Sequence, residues 1–170
     1  MSTEALTPET RHVWAIYLQA SEEARHRGDR RTGTDHLLLS LLSDPVVEVL
    51  LGVSLERSRQ VLASLDRDAL GALGLESVED APPLTMRAVP TKPRIRDVAR
   101  TDRLRMTPAA KGVLERASKL NRRKTYVTAP QVLAQILTLL PPDPAAVLLD
   151  ALGVDTAEVR RHLESLAPDS

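Results

Sequence analysis

The sequence predicts an all-α protein: a pseudo-twofold tandem of two four-helix repeats, about eight helices in all, with a long insertion between the repeats. Three observations carry this expectation. Hydrophobic residues make up 42% of the 170, yet aromatics are 2% and Phe is absent, so the core must be aliphatic. Glycines number only 7 and runs of β-branched residues are scarce, which favours helix over strand. The same order of helix starts, apolar stripes and stops also occurs twice, once over residues 7–65 and again over 106–166, with 66–105 between them.

Each repeat opens on Thr-Pro, at Thr7-Pro8 and Thr107-Pro108. Thr as N-cap with Pro at the first helical position is a helix start. In repeat one the first helix carries Val13, Ile16, Tyr17, Ala20 and Ala24 on one stripe and should stop at Gly28. In repeat two the stripe is Ala110, Val113, Leu114 and Ala117, with Asn121 as the expected left-handed stop. The second helices read "DHLLLSLL" and "PQVLAQILTLL". Asp44-Pro45 and Asp143-Pro144 then break the chain and start the third, which end at Gly52 and Gly153. Fourth helices begin at Ser54 and at Asp155, which has capping-box spacing to Glu158. Ser58, Leu62 and Leu65 match Val159, Leu163 and Leu166 on their buried stripes.

The insertion begins as a possible helix tail, "DRDALGALGL". Pro82, Pro83, Pro90 and Pro93 then forbid a long helix, and a short strand pair is expected around "LTMRAV". Its charges are sorted, acids first, then Arg87, Lys92, Arg94, Arg96, Arg100, Arg103 and Arg105. Lys plus Arg equals Asp plus Glu, 23 each, so there is no global pull toward nucleic acid or anionic lipid. Cys is absent, the first ten residues lack an apolar signal core, and no apolar run approaches a membrane span. A cytoplasmic protein is expected.

The chain resembles the amino-terminal Clp-N domain of the Clp-type AAA+ unfoldases. The resemblance rests on Thr10 with Val13, Ile16 and Ala20, on "EEARHRG", and on "GTDHLLLSLL", where the family typically reads Gly-Thr-Glu-His-Leu-Leu. It extends to "MTPAAKGVLERA", Tyr126-Val127 and "AAVLLDALGV", and so covers nearly everything but the insertion. No G-x-x-x-x-G-K-[ST] loop occurs, so a domain without its motor is expected. The resemblance implies a non-enzymatic interaction module with an accessory or decoy role, needing no cofactor. Its expected partners are a Clp unfoldase, adaptors and client peptides, or a small molecule.

The resemblance also implies a phosphoarginine pocket in each repeat. In repeat one it falls on Thr7 or Thr10, with Thr34 and Asp35, Asp replacing the family's Glu. A helix start would take the phosphate and the acid would fork onto the guanidinium. The structural reading is that Thr34 caps the helix and Asp35 complements its dipole, worth about 0.3–1 kcal/mol. In repeat two the positions are Thr107, Thr128 and Pro130. Pro130 cannot hold a guanidinium, and Thr128 with Gln131 forms a capping box, so this pocket is expected to be degenerate.

Other residues carry less. His12, His26, His36 and His162 are scattered and expected to cap or lie on the surface, with no metal. Glu22 and Glu23 are expected on a solvated face, and Trp14 and Leu18 at the edge of the core in preference to a partner patch. No nucleophile elbow occurs and no catalytic residues are assigned. The alternative function is a regulatory or nucleic-acid-binding protein using Arg94, Arg96 and Arg100, although the arm lacks interleaved aromatics.

Overall fold

A computed structural model describes residues 10–74, 104–121 and 125–166. Thr7, the "LTMRAV" segment and Arg94, Arg96 and Arg100 lie outside the described residues. The first half comprises β1 (Thr10–His12), α1 (Val13–Arg27), β2 (Arg31–Thr32), α2 (Thr34–Leu41), α3 (Pro45–Leu51) and α4 (Leu55–Ala72). The second comprises β3 (Arg105–Met106), α5 (Pro108–Lys119), β4 (Tyr126–Thr128), α6 (Ala129–Ile136), α7 (Pro144–Ala151) and α8 (Thr156–Leu166). The fold is all-α with short strands, and no helix among the described residues is long and apolar enough to cross a membrane. The helix tail expected at the start of the insertion is present, since α4 runs on to Ala72, while Arg105 at its other end belongs to β3.

The strands pair across the halves. β1 pairs antiparallel with β4, placing Thr10 opposite Thr128, and β2 pairs parallel with β3. This pairing corrects the expected start of the first helix. Thr10 is an exposed strand residue, and the helix begins at Val13, whose N–H donates to Thr125 O at 2.9 Å. His12 caps the helix by accepting from Trp14 N at 3.1 Å. Because the sheet pairing holds the chain extended through His12, α1 cannot reach back toward Thr7.

Most other helix ends follow local chemistry. Gly28 (φ 79°) and Gly52 (φ 64°) adopt the left-handed conformation that their caps require. Asp44, Ser54, Thr107, Thr128, Asp143 and Asp155 each accept from a first-turn N–H. Asn121 departs from expectation. No non-glycine among the described residues has positive φ, and α5 ends on Leu120 in right-handed geometry. The Asn121 amide instead donates to Tyr126 O at 2.7 Å and to Gln131 Oε1 at 2.8 Å, tying α5 to the start of α6.

The core is aliphatic, as composition requires, and α2 lies at its centre. It packs against α1 and α4 of its own half and against α5, α6 and α7 of the other. All eight of its residues are buried. Leu37, Leu38, Leu39 and Leu41 meet Val113, Val132, Leu133, Ile136, Leu148 and Leu149 in one apolar cluster. Each fully buried leucine stabilises by about 1.5–3 kcal/mol. Leu38→Ala should therefore lower the unfolding free energy by about 2–5 kcal/mol in urea titrations, with an unchanged m-value. A loss below about 1 kcal/mol would contradict a well-packed centre at α2.

Candidate functional site

A helix buried on all sides has no water for its polar first turn. Thr34, Asp35 and His36 open α2, and all three are buried. An unpaired buried charge is unfavourable by several kcal/mol, so each of these groups needs a partner.

Asp35 finds its partner in Arg27, eight residues upstream. Arg27 Nη1 donates to Asp35 Oδ2 at 2.7 Å. The same guanidinium lies 3.3 Å from Asp29 through Nε and 3.0 Å from Asp66 through Nη2. Three carboxylates from three places in the fold thus surround one arginine: the turn after α1, the start of α2 and the middle of α4. Gly28 makes this possible, because its left-handed turn reverses the chain and returns Asp29 toward Arg27. Gly33 matters for a different reason. A Cβ there would fall inside contact distance of Asp35 Oδ1, so the carboxylate packs directly on its backbone.

His36 completes the turn. Its Nδ1 accepts from Gly33 N at 2.9 Å, which leaves the proton on Nε2 to donate to Asp29 Oδ2 at 2.9 Å. Of the two roles expected for His36, surface or cap, the structure shows the cap: the ring is buried. The donor atoms of Asp29, Asp35 and His36 lie within 4.8 Å of one another. Asp29 Oδ2 lies 2.9 Å from Nε2, and Asp35 Oδ1 lies 3.3 Å from Nδ1 at the other end of the ring. The Arg27 guanidinium already supplies the cation.

No family model matches the chain, and no curated protein matches it.

The residues assigned to the two phosphoarginine pockets are distributed as follows. Thr34 does not cap α2, since Gly33 holds that position; the Thr34 hydroxyl donates to Asp143 Oδ1 at 2.7 Å and so joins the start of α2 to the start of α7. Thr10 is brought opposite Thr128 rather than to Asp35. Thr107 accepts from Ala110 N at 3.3 Å. Thr128 and Gln131 form the expected capping box, and Pro130 is buried in the first turn of α6. An external guanidinium at Asp35 would have to displace Arg27.

Two further expectations are corrected. Glu23 is buried and grips Arg59 of α4 with both oxygens, at 2.6 and 3.1 Å. These hydrogen bonds are the main cause of a raised Arg59 pKa; desolvation works against it, and the Glu23 and Glu56 charges add to it. Trp14 (39%) and Leu18 (41%) are exposed rather than at the core edge, with Trp14 tilted against Tyr17 at 5.0 Å. The Arg59–Glu23 and Arg27–Asp66 pairs flank a cleft of about 180 Å³ between α1 and α4.

A second concavity lies between the two halves. Where α3 of the first half meets the start of α8, Leu51 and Val159 form the floor of a crevice of about 510 Å³. Leu50 and Val154 line it, and Val49 stands at its rim, 71% exposed. Asp155, Glu158 and His162 supply its polar edge. The apolar run "VVEVLL" gave a signal: a helix this apolar leaves a residue uncovered once its inner face is packed.

The Gly33–Asp35 contact can be tested by a double-mutant cycle. Asp35→Ala should cost about 1–3 kcal/mol by removing the shortest of the Arg27 ion pairs, and Gly33→Ala should destabilise by pushing on the carboxylate. The double variant should be less destabilised than the sum, since removing the carboxylate removes the clash. Strict additivity in chemical denaturation would show that the two residues do not touch.

Proposed function

We propose that this chain is a non-enzymatic protein-interaction module of the Clp unfoldase and protease system, acting on partner or client segments in an accessory or decoy role. The sequence resemblance to Clp-N domains motivates the reading. Its structural support is the order strand, helix, strand, then three helices, which occurs on both sides of residues 75–103. The pairing of β1 with β4 and β2 with β3 ties the two sides together, although the two pairs run in opposite senses.

The observation that carries the reading is the crevice between α3 and α8. A rigid aliphatic floor with an exposed valine at the rim is a surface for another chain's apolar side chain. The acids and histidine at the α2 start are occupied with one another, so the chemistry there is that of a fastening.

The test is retention of the purified chain by an immobilised Clp-type unfoldase, alone and with adaptor or client peptides. Wild type should be retained, and Val49→Asp should weaken retention on the order of tenfold with the fold intact, because Val49 is exposed. A wild-type chain that binds no unfoldase, adaptor or client peptide would refute the proposal.

A further inference from the structure

The electrostatics of the α3–α8 crevice restrict what can sit in it. Elsewhere among the described residues, several acids near helix junctions are matched by arginines. Asp35 and Asp66 share Arg27, Glu23 holds Arg59, and Asp44 lies 3.5 Å from Arg11. Four other clefts each have at least one arginine in their walls: Arg57 and Arg67 in one, Arg27 and Arg59 in another, and Arg160 in two more. The α3–α8 crevice has neither lysine nor arginine, and it has two carboxylates, Asp155 and Glu158. Neither enters an ion pair among the described residues.

The two acids differ in what binds them. Asp155 Oδ1 accepts from Ala157 N at 2.9 Å and from Glu158 N at 3.0 Å, so this oxygen is committed to the start of α8. Glu158 lies in the first turn and is exposed. Its charge complements the helix dipole, but no cation pairs with it among the described residues. The apolar floor and the negative edge therefore lie side by side on one surface.

We infer that this crevice accepts a peptide segment in which an aliphatic side chain is flanked by lysine or arginine. The inference rests on the reading of the crevice as a docking surface and adds the sign of charge that its occupant carries. The aliphatic side chain fills the space above Leu51 and Val159 beside Val49, Leu50 and Val154. The basic group pairs with Glu158 and the free oxygen of Asp155. An acidic segment meets like charge in a crevice that has no compensating cation.

The experiment uses three blocked heptapeptides with one Leu-Val-Leu centre, flanked by lysines, by serines or by glutamates. Each is titrated calorimetrically into the whole chain at low salt. Two exposed charge pairs at up to about 1 kcal/mol each should make the lysine peptide bind on the order of tenfold tighter than the serine peptide. The glutamate peptide should bind weakest, and added salt should narrow the differences. Glu158→Gln, at an exposed position that caps nothing, should reduce the lysine preference by roughly threefold while leaving serine-peptide binding unchanged. Equal binding of the lysine and serine peptides, or a preference unchanged in Glu158→Gln, would overturn the charge assignment and leave the docking reading standing. Failure of all three peptides to bind would overturn both. A dimer by sedimentation that blocks peptide binding would instead assign the crevice to a second copy and likewise overturn the inference.

Discussion

The structure depends on the burial of α2 on every side. Its four leucines and the apolar faces of five neighbouring helices exclude water from a segment that begins Thr-Asp-His. Desolvating such a turn is favourable only if each polar group is satisfied within the protein. Arg27 reaches Asp35, the His36 ring bridges Gly33 and Asp29, and Thr34 hydrogen-bonds Asp143 in the other half. Gly33 has no side chain because the Asp35 carboxylate needs the space. The apolar core and the polar fastening are one arrangement: the leucines bring the halves together, and the partners of the first turn fix where α2 begins.

This arrangement also separates the two kinds of surface on the molecule. The buried acids Asp35, Asp44 and Glu23 are neutralised internally, and two of the arginines that do so, Arg27 and Arg59, also hold α4. That helix has 18 residues, of which only Ser58 and Leu62 are buried, and ion pairs from Arg59 and Asp66 strap it to α1. Such straps between partly exposed groups are individually weak, so α4 belongs to the less firmly held part of the fold. The α3–α8 crevice is the opposite case. Its floor is firm because Leu51 and Val159 belong to the core, and its carboxylates enter no ion pair among the described residues. A site that is rigid below and electrostatically open above suits recognition, because little ordering is required on binding.

The sequence reveals those parts of this fold that are decided within a few residues. The Asp-Pro helix starts, the glycine stops and the Thr128–Gln131 capping box are local, and they stand where the spacing predicts. The cradle around Arg27 was also partly legible: Arg27, Gly28, Asp29, Asp35 and His36 fall within ten consecutive positions, and Gly28 forces the reversal that gathers them. What the sequence hid is non-local. Arg59 lies 36 residues from Glu23, and Asp66 lies 39 from Arg27, so neither acid announces its partner. Thr10 looked like part of a helix start because its pairing strand, at Tyr126–Thr128, is more than a hundred residues away. Asn121 looked like a left-handed stop because its real partners, the Tyr126 carbonyl and the Gln131 amide, belong to the next element.

The two α2-like helix starts are satisfied in different ways. α6 opens with Thr128, Ala129, Pro130 and Gln131. There a neutral hydroxyl, two neutral amides and a proline leave nothing that must be charge-compensated. α2 opens with Gly33, Thr34, Asp35 and His36, and it needs an arginine and a second acid to be buried at all. Both solutions satisfy the backbone, yet they respond differently to surroundings. The neutral start is insensitive to salt, whereas the ionic start draws Asp66 of α4 into its cradle and so couples the centre of the core to the least buried helix. An acid at position 35 is therefore understood first as the device that links α1, α2 and α4 in one half of the molecule. In the second half, where Pro130 stands at that place, the counterpart helix α8 is anchored differently, through Arg160, whose guanidinium donates to the Leu137 carbonyl, and through the buried Val159.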